Sequence, residues 1–160
     1  MRLLSIEDVV TGSLIYALGD SMAALLAGEF QTMRMLGMLV LGGTLYAVEI
    51  PAWFRWIGRR YARPRFSDAI KRMLMAAAYF NPLWIARHLL FIRLFSEQWQ
   101  TVSWDLLSIA SQSFVYCLPV ALPVNYLIQN HIPLAWRFFA SSVFSAVMAV
   151  YFSLSEVLYG

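Results

Sequence analysis

The chain has 160 residues, 61% of them hydrophobic and 13% charged, with a formal net charge of +3 and a mean hydropathy of +0.64. A soluble domain carries about 45–50% apolar residues, so a small water-soluble fold is excluded and an integral membrane protein is predicted. The positive excess lies in one loop. Basic loops orient membrane proteins, so the charge is no argument for nucleic-acid binding.

Hydrocarbon supplies no hydrogen bonds, and only helices or closed barrels satisfy their own backbone within it. The apolar runs are long and do not alternate, which predicts an all-α fold: a polytopic membrane helix bundle forming a single domain over residues 1–160. The predicted helices are Val9–Gly28, Met35–Ile57, Met73–Phe95, Asp105–Ile128 and Leu134–Val157. Each is long enough to cross a core of about 30 Å at about 1.5 Å per residue. The third contains Arg87, His88 and Arg93, so four spans plus one interfacial helix is the alternative arrangement. No cleavable signal peptide is expected, because Glu7 and Asp8 interrupt the start. The single cysteine, Cys117, lies in an apolar run and is expected to be an inert packing residue.

Seven of the twelve basic residues fall in one stretch: Arg55, Arg59, Arg60, Arg63, Arg65, Lys71 and Arg72. This places the loop in the cytoplasm, or in the matrix of a mitochondrion. The N-terminus then lies on the same side, and the segments holding Glu29, Glu97 and Glu156 lie opposite. Anionic lipid or phosphate is a second reading for such a loop. Pro51, Pro82, Pro119 and Pro123 each remove a helical donor and are expected to bend their helices. Pro119 and Pro123 make the fourth helix the one with the strongest expected bend. Small residues mark helix contacts: Gly12, Gly19 and Ala23 on the first helix, Gly37, Gly42 and Gly43 on the second, and Ser141, Ser145, Ala149 and Ser153 on the last. Packing within the bundle is the favoured reading, and oligomerisation the other.

Thr11-Gly12-Ser13-Leu14 followed by Leu18-Gly19-Asp20, Trp53-Phe54, Asp68-Ala69-Ile70-Lys71-Arg72-Met73-Leu74 with Pro82 beyond, and Pro119, Asn125, Pro133-Leu134, Arg137 and Tyr151-Phe152-Ser153 run in order along the chain. In that order the chain resembles the Mpv-seventeen/PMP-twenty-two family of small peroxisomal and inner-mitochondrial membrane proteins. It departs from the family pattern at Ala76-Ala77, at Ala47-Val48 with Pro51, and at Met148-Ala149, where the family carries polar or proline signatures. The resemblance implies a pore-forming or solute-permeating protein.

The candidate polar path or buried ion pair consists of Asp20, Glu49, Arg87 and His88. A charge at mid-helix costs about 2.5–3.5 kcal/mol on insertion scales, so Asp20 requires a partner or water. Asp20 lies roughly 17 Å and Arg87 roughly 21 Å from the inner ends of their predicted helices, which makes Arg87 its expected partner and His88 a second one. Glu49, roughly 12 Å from the inner end of its helix, is expected to line a cavity or to pair with Arg137. No zinc spacing, nucleophile elbow or phosphate loop is present. His88 as a haem or quinone ligand is outweighed by a hydrogen-bonded packing role. No catalytic residue, metal or cofactor is expected, and the chain is expected not to be an enzyme. The leading functional reading is a small α-helical channel or permeation protein; the alternative is a non-conducting scaffold or partner-binding protein. Expected partners are membrane lipid, a small solute or ion and a second copy of the chain. Expected locations are a bacterial inner membrane or an organellar one, mitochondrial inner or peroxisomal.

Overall fold

The computed structural model describes the backbone of residues 5–159 and the side chains of residues 5–151. The described residues are helical, in the order α1 (Ile6–Leu26), α2 (Thr32–Leu41), a π-helical turn (Gly42–Tyr46), α3 (Ala47–Arg60), α4 (Phe66–Tyr79), α5 (Pro82–Phe95), a short 3-10 turn (Trp99–Thr101), α6 (Asp105–His131) and α7 (Leu134–Tyr159). Ser153 and Glu156 lie outside the described side chains. Four stretches are long and apolar enough to cross a membrane: Ile6–Leu26, Thr32–Arg60, Asp105–His131 and Leu134–Tyr151. Their outer surfaces are apolar too. Leu14, Leu18, Met22 and Leu25 of α1 and Val115, Val120 and Leu127 of α6 are all at least half exposed. A water-soluble monomer rarely leaves so continuous an apolar surface open. The molecule is an all-α membrane helix bundle.

Helix α1 begins at Ser5, whose hydroxyl accepts from the Asp8 N–H at 3.0 Å. Glu7 and Asp8 in the first turn complement the positive end of the helix. It ends at Gly28, whose φ of 72° closes the turn. The Glu29 N–H returns to the Ala24 carbonyl and the Gly28 N–H to that of Leu25, so two of the last carbonyls are satisfied. This turn reverses the chain into α2.

The widened π-turn at Gly42–Tyr46 lies where α1 approaches most closely. Pro51 cannot donate to the carbonyl of Ala47, one turn upstream, and the π-turn ends where that deficit begins. A Cβ added to Gly12 would overlap the carbonyl of Gly42, and one added to Gly42 would overlap the carbonyl of Gly12. The two backbones touch where neither residue has a side chain.

The third predicted helix, Met73–Phe95, is corrected: it is two 14-residue helices, α4 and α5, broken at Phe80-Asn81. Each spans roughly 21 Å, less than a bilayer core of about 30 Å. The cause is local. Pro82 cannot bond the carbonyl of Ala78, and the Asn81 side-chain N–H₂ donates to that carbonyl instead, at 3.1 Å. The Asn81 Oδ1 accepts from the N–H groups of Leu83 and Trp84 at 2.9 and 3.1 Å. One side chain thus closes both sides of the break. Both helices pack on α6. Asn130 of α6 donates to the Ala69 carbonyl near the start of α4, while Arg93 near the end of α5 donates to the Thr101 carbonyl just before α6. Together α4 and α5 therefore run antiparallel to α6. Pro119 and Pro123 lie inside α6, which continues past them as one helix.

The packing divides into two units, Met1–Pro51 with Phe138–Gly160, and Ala52–Arg137. In the first, the rings of Tyr16 and Tyr46 stand 4.8 Å apart, and Tyr46, Ile50 and Met38 are fully buried. In the second, the Trp53 indole donates to the Met75 carbonyl at 3.0 Å and stacks on Trp56.

Two predictions follow from this architecture. Gly12→Ala and Gly42→Ala should each destabilise the protein by about 1–3 kcal/mol, the usual penalty of overpacking, while Gly58→Ala, whose Cβ would meet only Arg137 Nη1 at 3.8 Å, should cost far less; unfolding in mixed micelles measures this, and equal stability of all three would refute the contact. With α4 and α5 crossing together, reporters placed near Arg63 and after Gly160 should face opposite sides of the membrane. Reporters on the same side would remove one crossing.

Candidate functional site

The charged group deepest in the first unit is Asp20, only 7% exposed. Its expected partner, Arg87, is replaced by Arg34. The Arg34 guanidinium donates from Nε to Oδ2 at 2.8 Å and from Nη2 to Oδ1 at 2.7 Å. This two-pronged geometry is the strongest form of an Arg–carboxylate pair. The reason lies in the hairpin. Asp20 is six residues before the end of α1, roughly 9 Å along it, and Arg34 is two residues past the start of α2, roughly 3 Å along it. The remaining offset of about 6 Å is the reach of an arginine side chain, which extends from the helix end toward the fixed charge. Arg34 lies one residue before the predicted helix, which begins at Met35. The observed start at Thr32 brings Arg34 into the first turn.

Around this pair the small residues are used for backbone approach. A Cβ at Gly19 would overlap Ala146 of α7. The Tyr16 hydroxyl meets the hydroxyls of Ser142 and Ser145. Ser141 is buried, and Ala149 is half-buried further along α7. Gly12 faces Gly42 as described above. Glu49 lies in the first turn of α3, two residues before Pro51, and is half-buried.

Arg87 and His88 lie on α5, both half-buried. The His88 ring stacks on Trp84, 5.5 Å between centroids and 6° between planes. Among the described residues no group of three His, Cys, Asp or Glu side chains comes together.

A second polar centre, which sequence reasoning did not assemble, occupies the second unit. Arg137 gives its hydrogen bonds to the Ile132 carbonyl at 3.0 Å and to Gln129 Oε1 at 3.3 Å. Arg72 donates from Nε to Asn130 Oδ1 at 2.8 Å and from Nη1 to the Tyr61 carbonyl. Four segments far apart in the chain meet here: the end of α3, the start of α4, the end of α6 and the start of α7.

The fold and its intramembrane ionisable groups define an integral membrane protein of the small polytopic kind. Over 93 residues the chain is 23% identical to the PXMP2/4 family protein 1 of Dictyostelium discoideum, covering 58% of this chain and 46% of that protein. The chain therefore spans about half the length of the curated relative it matches. No family model matches the chain, and no solved structure matches it. The similarity supports the resemblance found in the ordered motifs.

The ion pair yields a stability prediction. Asp20→Ala and Arg34→Ala should each cost about 3–5 kcal/mol, because each leaves a buried charge without its partner. The double replacement Asp20→Leu with Arg34→Met should cost less than either single change. Unfolding measurements in micelles test this, and strictly additive effects would refute the pair.

Proposed function

We propose that the chain is a small α-helical channel or solute-permeation protein, not an enzyme, of the class that resemblance to the Mpv-seventeen/PMP-twenty-two family implies. The similarity to the Dictyostelium protein supports the resemblance. The observation that carries the reading is the Asp20–Arg34 pair inside the first helical hairpin. Ionisable groups within membrane helices are rare, and they mark hydrophilic paths, relays or sensors. A two-pronged pair is electrically neutral overall yet strongly dipolar, which suits the wall of a narrow path for small polar solutes or ions. Glu49, Arg87 and His88 are the further candidates for that path. So few helices enclose little space alone, and a wider path calls for several copies of the chain.

The test is conductance of purified protein in planar bilayers. Channels should form, and Asp20→Asn and Arg34→Gln should change their unitary conductance or their cation–anion selectivity in opposite directions. Folded protein that leaves bilayers silent would sink this reading.

One observation favours the second reading, a non-conducting scaffold or partner-binding protein. On the outward face of α6, Ser108 and Gln112 are exposed and hydrogen-bond each other at 3.3 Å. Polar side chains facing lipid pair across helices when they can. Under that reading, crosslinking in native membranes recovers a defined partner or a second copy, and Gln112→Leu weakens the product.

A further inference from the structure

The centre at the end of α6 holds more positive charge than the protein neutralises. Arg72 and Arg137 are half-buried there, and Arg137 lies within the field of Arg72. Their four hydrogen bonds all go to neutral acceptors: the carbonyls of Tyr61 and Ile132 and the side-chain oxygens of Asn130 and Gln129. Among the described residues no carboxylate pairs with either. Asp68, one turn before Arg72 on α4, does not reach it.

The end of a helix contributes about −0.5 charge through its free carbonyls. Tyr61 closes α3 and Ile132 closes α6, so two helix ends face the two guanidiniums and leave roughly +1 unanswered. The surroundings add to it. Arg60 and Lys71 stand over the Tyr61 ring, 5.6 and 5.9 Å from its centroid. Capping of these two helix ends accounts for the carbonyl contacts, and about half a charge on each guanidinium is left uncancelled.

Three further nitrogens point to a ligand. Gln129 is fully buried, and its Oε1 is taken by Arg137, while its Nε2 has no partner. That amide nitrogen is bonded to the same carbon as Oε1, so a buried donor is held beside the guanidinium. The Nη2 groups of Arg72 and Arg137 donate to no protein atom among the described residues. The buried Gln129 donor left unmade costs about 1–3 kcal/mol, and with the two Nη2 groups beside it the set suits an acceptor-only, multiply charged group. Phosphate has that chemistry, with about −1.5 to −2 charge as a monoester and several acceptor oxygens, and the arginine fork matches its geometry.

We propose that Arg72, Arg137 and Gln129 form a phosphate-binding site at the junction of α3, α4, α6 and α7. The phosphate belongs either to a free anion or to the headgroup of an anionic lipid. The site stands whether or not the protein conducts, because binding is read without any flux.

The experiment uses the full chain in phosphatidylcholine nanodiscs. Inorganic phosphate is titrated calorimetrically at constant ionic strength, and thermal midpoints are compared between these discs and discs that also contain phosphatidylglycerol. Gln129→Glu is the decisive variant: it places a carboxylate against Arg137, so the protein stays folded while the site is filled from within. Arg63→Gln, an exposed loop charge, controls for net charge.

Saturable phosphate binding, weakened about tenfold or more by Gln129→Glu and unchanged by Arg63→Gln, establishes a site for a free anion. No response to phosphate, but a higher midpoint in phosphatidylglycerol that Gln129→Glu abolishes and Arg63→Gln keeps, establishes a lipid-headgroup site. The proposal is overturned if neither probe affects the folded wild-type protein. It is equally overturned if Gln129→Glu responds like wild type, or if Arg63→Gln loses as much as Gln129→Glu.

Discussion

A polar group that enters these helices is costly unless it finds a partner inside the protein, because the surrounding hydrocarbon offers none. This constraint explains the features that depart from plain apolar helices. At Asn81 a proline frees a carbonyl and a new helix begins, and a single amide side chain answers both sides. At Gly12 and Gly42 two backbones meet without side chains between them. At Asp20 a carboxylate that could not remain alone holds the one arginine its hairpin brings within reach.

The same constraint sets what was legible in the sequence. The helical class, the small-residue stripe of α1 and the need of Asp20 for a partner follow from composition and spacing, which are local properties. The identity of the partner does not. It depended on a helix start only three residues earlier than the apolar run suggests, and on an arginine long enough to make up the difference in depth. The break at Asn81 was visible only as a proline, which usually signals a bend. Its consequence, two short helices where one long one was expected, required knowing that the preceding asparagine could cap in both directions.

The arginine centre of the second unit was less legible still, for a different reason. In the sequence Arg72 is one of seven basic residues that orient the chain and part of an ordered motif, and Arg137 is a motif position and a possible partner of Glu49. Tyr61, Gln129 and Asn130 carried no signal, since polar residues near a helix end are ordinary at a membrane interface. What distinguishes them is convergence across four segments separated by up to 76 positions, and charge counted along a sequence is blind to convergence.

Two arginines in membrane proteins of this kind can therefore mean opposite things. Arg34 meets a carboxylate with matched geometry, so its charge is cancelled where it sits and the pair sets the register of α1 against α2. Arg72 and Arg137 meet only dipoles. Dipoles orient a guanidinium and satisfy its donors, but they do not cancel its charge, and two such cations side by side repel. The two helix ends they cap favour positive charge, but each end offsets only about half of one guanidinium. The persistence of two full charges against neutral partners is thus better explained by something the centre receives than by what it already holds together.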